Sequence, residues 1–221
     1  MIKIKYIIMC GGKYKEWETP RQLIRIRGEA IIERTIRLLR ENNVEDIAIS
    51  TNNPAFEPIA ERLDVPILHH ENQWYVRGYE DVTGTWCNCF YPIEDPVCYI
   101  LGDVIFSRAA IKKIVETETD SIEFFASAPP FATNYPKKYA EPFAFKVVDI
   151  TKFWQAIDKL KEYESQGKFE RHPIAWELWQ VIKKTKLNEL RYDNYVIIND
   201  YTCDIDWEKE VGLFQKVNLE R

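Results

Sequence analysis

Four short stretches of the chain carry residue types that could do chemistry together. Cys10-Gly11-Gly12-Lys13-Tyr14-Lys15 sets paired glycines beside two cations. Glycines free backbone N–H groups to line an anion-binding concavity, and Lys13 and Lys15 add charge to it. A Gly-Gly pair closing a strand is equally a common turn, so this motif needs company. It finds some in Pro20-Arg21-Gln22-Leu23, a second cationic stretch. Farther along, Gly102-Asp103 follows an apolar run, and Cys203-Asp204-Ile205-Asp206-Trp207 lies near the C-terminus. A carboxylate just beyond a buried strand projects into the crevice where α/β sheets bind ligands, and its hard oxygens suit Mg²⁺ on nucleotide phosphates. The alternatives are ordinary: a turn aspartate at 103 and a helix N-cap at 206.

These residues need a scaffold, and the hydrophobic pattern supplies one. Short apolar runs at 4–9, 46–50, 65–68, 97–101, 122–126, 143–148 and 196–198 read as strands. Between them, 31–39, 55–63, 108–116, 151–163, 173–184 and 207–217 have apolar residues at helical spacing, and 85–90 opens a further short helix. Asn52 or Asn53 ahead of Pro54, and Ser107, are the expected caps. Alternation of this kind predicts crossover units. The expected fold is α/β, a three-layer α/β/α sandwich with a mostly parallel mixed sheet, Rossmann-like, in one domain over residues 1–221.

On these motifs the chain resembles the nucleotidyltransferases that make nucleotide-activated sugars and polyols, a family of the GT-A-like fold that includes methylerythritol-phosphate cytidylyltransferases. Those enzymes open with a strand, a Gly-rich loop ending in Arg, Pro-Lys-x-Leu, and a short strand entering a helix through Gly-Lys-Pro-Leu-Ile. Here Pro20-Arg21-Gln22-Leu23 and Gly28-Glu29-Ala30-Ile31-Ile32 stand at the matching places. The glycine loop is abbreviated, with Lys13 or Lys15 standing in for its Arg, and Arg21 replaces a lysine by a planar fork. The resemblance implies Mg²⁺ on Asp103 and Asp206, and catalytic cations at Arg21, Lys13 and Lys15. It implies nucleotide contacts from Cys10, Gly11, Gly12, Gln22, Gly84, Thr85 and Gly102. The partners implied are an NTP, with CTP favoured by Gln22, and a phosphorylated small-molecule acceptor such as a sugar or polyol phosphate. Asn134, Lys137, Lys138 and Lys146 lie in the proline- and aromatic-rich stretch where the resemblance places acceptor recognition, although Lys137-Lys138 reads first as a solvated pair. A homodimer is compatible with the reading.

Two other functions stay open at this point. A glycosyltransferase on a nucleotide sugar would share the fold, although Gly102-Asp103-Val104 lacks the Asp-x-Asp usual there. A nucleotide-binding protein with a decayed site would explain the clipped glycine loop.

Composition narrows the field further. The 221 residues are 46% hydrophobic and 29% charged, enough for a substantial core, and no apolar run reaches the ~18 residues of a membrane span. Neither a membrane nor a nucleic acid is an expected partner, and the cytoplasm is the expected compartment. The net charge is −5, yet residues 1–40 carry ten Lys and Arg against four Asp and Glu. Such a basic segment can mark a local anion site rather than a nucleic-acid face. Five scattered cysteines do not suggest a disulfide framework, and Cys87-x-Cys89 has the wrong spacing for a zinc knuckle. Trp176, Trp179 and His172 are expected to be structural.

Overall fold

A computed structural model describes residues 3–11, 17–70, 86–131 and 139–218. In chain order the elements are β1 (Lys5–Met9), β2 (Arg25–Ile26), β3 (Glu29–Ala30), α1 (Ile31–Glu41), β4 (Ile47–Thr51), α2 (Glu57–Leu63) and β5 (Ile67–His69). They continue with β6 (Val97–Leu101), β7 (Val104–Ile105), α3 (Arg108–Glu116), β8 (Ile122–Ala126), β9 (Pro142–Val147), α4 (Ile150–Ser165) and α5 (Ala175–Lys183). Then come β10 (Val196–Ile197), β11 (Cys203–Asp204) and α6 (Glu208–Phe214). Seven strands form one sheet in the order β10-β8-β9-β6-β1-β4-β5, with β9 antiparallel to both neighbours and the other pairs parallel.

Side-chain alternation along β1 divides the interior in two. Tyr6 and Ile8 join Ile32, Ile36 and Leu39 of α1 and Ile111 and Ile114 of α3 in one core cluster. Ile7 and Met9 face the other way, into a second cluster with Phe153 and Leu160 of α4 and Trp176 and Trp179 of α5. Period-two alternation buried on both faces is what a central strand between two helical layers requires. The three-layer α/β/α arrangement with a mostly parallel mixed sheet is therefore as expected. Among the described residues no helix is long and apolar enough to cross a membrane.

Several boundaries are as the sequence reads. Ser107 accepts from the Ala110 amide and starts α3, and Asn53 accepts from the Ala55 amide. The segment 54–63 is a 3₁₀ turn followed by a shorter α-helix, because proline at 54 and again at 58 leaves amides missing from the first turns. Residues 86–89 form a 3₁₀ turn rather than a helix. The closing helix is shorter than expected, ending at Phe214. Four two-residue strands escape the periodicity: β2 pairs with β3, and β7 with β11. All five cysteines are buried, and none is in a disulfide.

Candidate active site

The sheet changes direction at β1. From it the chain adds β4 and β5 on one side, then crosses back to place β6 on the other. Ligand crevices form at such a switch point, outside the carboxyl ends of the strands. Met9 is in register with Leu101, so Cys10-Gly11 and Gly102-Asp103 leave the sheet side by side. The Gly102 amide donates to Met9 O at 3.1 Å. A β-carbon on Gly102 would stand 2.6 Å from Met9 O and 2.7 Å from Cys10 Sγ. Glycine is thus what allows the two chains to run this close and sends Asp103 outward.

The second carboxylate arrives through β11. Antiparallel pairing sets Asp204 opposite Val104 and Cys203 opposite Ile105, so the chain one step beyond Asp204 meets Asp103. The Ile205 amide donates to Asp103 O at 3.3 Å. Asp206 follows, and its backbone is held firmly. Its amide and that of Trp207 donate to Glu210 Oε2 at 2.9 and 3.0 Å, and Trp17 Nε1 donates to its carbonyl at 3.3 Å. Asp206 is therefore not the N-cap of α6: the buried Glu210 serves the first amides, and the Asp206 carboxylate points elsewhere.

It points at Arg21. Pro20 precedes a 3₁₀ turn over Arg21–Leu23 that buries Arg21 and Gln22. The Arg21 guanidinium, 2% exposed, spans both aspartates. Nη2 donates to Asp103 Oδ2, while Nη1 donates to Asp206 Oδ1 at 3.0 Å and to Ile205 O at 2.6 Å. A planar fork with parallel N–H groups can bridge two carboxylates in this way, whereas an ammonium is a single point of charge. Arg21 is accordingly no solvated loop residue. It is engaged with the two carboxylates and with Ile205 O.

Two further carboxylates converge on the same place. Oxygens of Glu141, Asp204 and Asp206 lie within 4.8 Å of one another. Glu141 is buried at the start of β9, where its amide donates to Ser127 Oγ at 2.9 Å. The Tyr139 hydroxyl donates to Asp206 Oδ2 at 3.4 Å. Among the described residues, then, Asp206 joins two groupings: with Asp103 it flanks the Arg21 guanidinium, and with Glu141 and Asp204 it forms a cluster of three carboxylates. Carboxylate oxygens in such excess are the donor set that a hard divalent cation takes. Asp204 was open to view as the residue two before Asp206 in an extended segment, where alternate positions share a face. Glu141 has no local signal, because only the pairing of β8 with β9 brings it here.

Other expected contacts fare variously. Cys10 donates its amide to Ser50 O at 2.8 Å and its carbonyl accepts from Thr51 Oγ1 at 3.0 Å, so its backbone continues the β1–β4 ladder. Its thiol is buried; desolvation, with the Asp103 charge adding, pushes its pKa well up. Gln22 is buried beside Gly102, and its Oε1 has no hydrogen-bond partner among the described residues. Gly12, Lys13, Lys15, Gly84, Thr85, Asn134, Lys137 and Lys138 lie outside the described residues. Lys146 is a correction. It is 1% exposed within β9, and its ammonium donates to Val115 O at 3.0 Å and Thr117 O at 2.8 Å. Such a lysine ties α3 to the sheet and meets no acceptor. His172, beside Glu164, is exposed, and Trp176 and Trp179 are core.

The model of the MobA-like NTP transferase domain matches residues 6–169, nearly three quarters of the chain. The chain belongs to this family. Its membership makes the protein an enzyme of the nucleotidyltransferase class. The match includes Arg21, Asp103 and Glu141 and stops before Asp206. Solved structures agree on the fold. An inositol-1-phosphate CTP transferase from T. maritima is 14% identical with a TM-score of 0.54, covering 97% of this chain and 96% of its own. A 4-diphosphocytidyl-2C-methyl-D-erythritol synthase from Anaerococcus prevotii is 11% identical with a TM-score of 0.58, covering 96% and 94%. A search of curated proteins found no significant match.

Proposed function

We propose that this NTP transferase family member is Mg²⁺-dependent. It moves a nucleoside monophosphate from an NTP, with CTP favoured, to a phosphorylated small molecule such as a sugar or polyol phosphate. The observation that carries the reading is the convergence of Asp103, Asp206 and Arg21 at the carboxyl ends of β1 and β6, in a chain of this family. Enzymes of like fold include, by their names, a CTP transferase for inositol 1-phosphate, a diphosphocytidyl-methylerythritol synthase and a putative glucose-1-phosphate thymidylyltransferase. They support an NTP and a phosphorylated acceptor, while CTP rests on the first two and on Gln22. The whole chain, 1–221, acts as one nucleotidyltransferase domain, in the cytoplasm.

In the reaction an oxygen of the acceptor phosphate forms a bond to the α-phosphorus, and the bond from that phosphorus to the leaving pyrophosphate breaks in line. The acceptor oxygen is already ionised at neutral pH, so no residue need remove a proton. The chain's task is to position and to neutralise. Asp103 and Asp206 would hold the cation, with Glu141 and Asp204 beside them. A bound Mg²⁺ supplies electrostatic stabilisation of charge on the phosphates. Gly11 and Gly12, through backbone amides, and Lys13 and Lys15 would cradle the polyphosphate. Arg21 would stabilise charge on the α-phosphate, and Gln22, Gly84, Thr85 and Gly102 would lie along the nucleotide.

The test is a pyrophosphate-release screen of the four NTPs with Mg²⁺ against a panel of phosphorylated acceptors. One NTP and one acceptor class are expected to give turnover that Asp103→Asn lowers at least a hundredfold while its melting temperature stays close to that of the parent. Turnover surviving that substitution, or release of nucleoside diphosphate from nucleotide sugars instead, would sink the proposal.

A further inference from the structure

The Arg21 guanidinium bridges Asp103 and Asp206, the two carboxylates assigned to the cation in the proposed reaction. It is 2% exposed, whereas the two carboxylates it bridges are 17% and 26% exposed. The guanidinium is thus more deeply buried than either carboxylate it bridges. Two of the carboxylate oxygens, one on each aspartate, are committed to Nη2 and Nη1. A third bond, from Nη1 to Ile205 O at 2.6 Å, anchors the fork to the segment that carries Asp206. The result is a pair of aspartates held in register by a positive charge that takes up their shared donors.

We propose that Arg21 competes with the divalent cation for Asp103 and Asp206, and that nucleotide polyphosphate relieves the competition. This rests on the nucleotidyltransferase reading for its second half only. While the fork bridges the aspartates, a cation gains fewer donors and meets a fixed positive charge within contact distance, where in a partly buried site repulsion is screened less than in bulk water. A polyphosphate offers the guanidinium another anion. If Arg21 turns to it, both carboxylates become available together. Metal and nucleotide then bind with positive coupling, and coupling of this kind is reciprocal: each tightens the other by the same factor. Arg21 is on this view a positioning residue before nucleotide arrives and a phosphate ligand afterwards.

The experiment counts free Mn²⁺ by electron paramagnetic resonance during titration of the wild-type chain and of Arg21→Gln. Each titration is run without nucleotide and with α,β-methylene CTP. Without nucleotide, Arg21→Gln is expected to bind Mn²⁺ at least tenfold more tightly than wild type. With the analogue, wild type is expected to tighten at least tenfold and Arg21→Gln much less. Equal Mn²⁺ affinity of the two proteins in the absence of nucleotide overturns the proposal, as does failure of both to bind Mn²⁺. A tighter variant with no response to the analogue in either protein upholds the competition and counts against nucleotide binding. The two readings thus fail separately. Should Arg21→Gln not fold, arginine ¹⁵N resonances of the wild-type chain decide. Ion-paired Nη signals from a buried guanidinium exchange slowly. They are expected to change on addition of Mg²⁺ with the analogue, and their persistence with the cation bound overturns the proposal.

Discussion

At the scale of single residues, Lys146 and Arg21 show how differently a buried cation can be used. Lys146 faces carbonyls, Val115 O and Thr117 O, and burial lowers its pKa. Its charged form is thus penalised in the folded chain. Stability gained through it rises with pH across the window between its lowered folded pKa and the ordinary 10.5. Removing it leaves two carbonyls without their donor and a gap under β9. Lys146→Ala is expected to cost about 2–4 kcal/mol in urea unfolding, with KM for the acceptor unchanged. A raised KM without loss of stability would return Lys146 to the acceptor site. Arg21 faces carboxylates instead, and its effect belongs to ligand binding as much as to stability.

At the scale of elements, two glycines act for different reasons. The β2–β3 hairpin turns on Arg27 and Gly28, at φ +53° and +85°, between the paired residues Ile26 and Glu29. Two consecutive left-handed residues make the tight turn that suits strand twist. Arg27 tolerates its strain with help from Gln215, which accepts from its backbone amide at 3.0 Å. A β-carbon on Gly28 would touch nothing within 4 Å, so Gly28→Ala should cost only the backbone strain, about 1 kcal/mol. Gly102→Ala meets Met9 O at 2.6 Å, a backbone atom that cannot step aside. Its expected cost is about 1–3 kcal/mol, from overpacking, together with a large loss of activity as Asp103 moves. Chemical denaturation of both variants beside an activity assay checks the contrast. An active Gly102→Ala enzyme would mean that the β1–β6 spacing does not set the site.

At the scale of the molecule, the buried thiols shape the response to alkali. Burial, first, pushes Cys10 and Cys89 well above 9.0 and Cys98 to about 12. A raised folded pKa gives stability that is whole below the unfolded value and is lost as pH climbs past it. Each thiol should therefore cost up to ~1.4 kcal/mol per pH unit above about 9. Three thiols outweigh the opposite slope of Lys146, so unfolding free energy should fall between pH 8.5 and 10.5, less steeply in Cys98→Ala. A flat profile would contradict the burial. The basic excess of the first forty residues also finds its place at this scale. Arg25, Arg27, Arg37 and Arg40, with Arg62, line a cavity of about 880 Å³ above α1 that contains none of Arg21, Asp103 or Asp206. Arg37 is paired there with Glu29 and Glu41, and Arg62 with Glu33. Arg40 donates instead to Leu63 O at the end of α2. Most of that local charge binds elements together.

Hydrophobic alternation and caps are local properties, and both can be read along the chain. They set β1, β6, β8, α1 and α3 nearly residue for residue, and with them the expectation of crossover units and of Asp103 at the carboxyl end of a strand. Asp206 was legible only through the family resemblance of its segment, because by itself an aspartate ahead of a helix reads as an N-cap. The rest of the site depended on pairing between distant segments. The two-residue strands β7 and β11 have too little periodicity to announce themselves, yet their register puts Asp206 beside Asp103. Glu141 enters by the register of β8 with β9. The destination of two buried cations followed the same logic. Lys146 sits at a strand position whose side chain faces the core, and Arg21 is tucked beneath two carboxylates. Charge along the chain could say that cations were present, and only packing could say which oxygen each would meet.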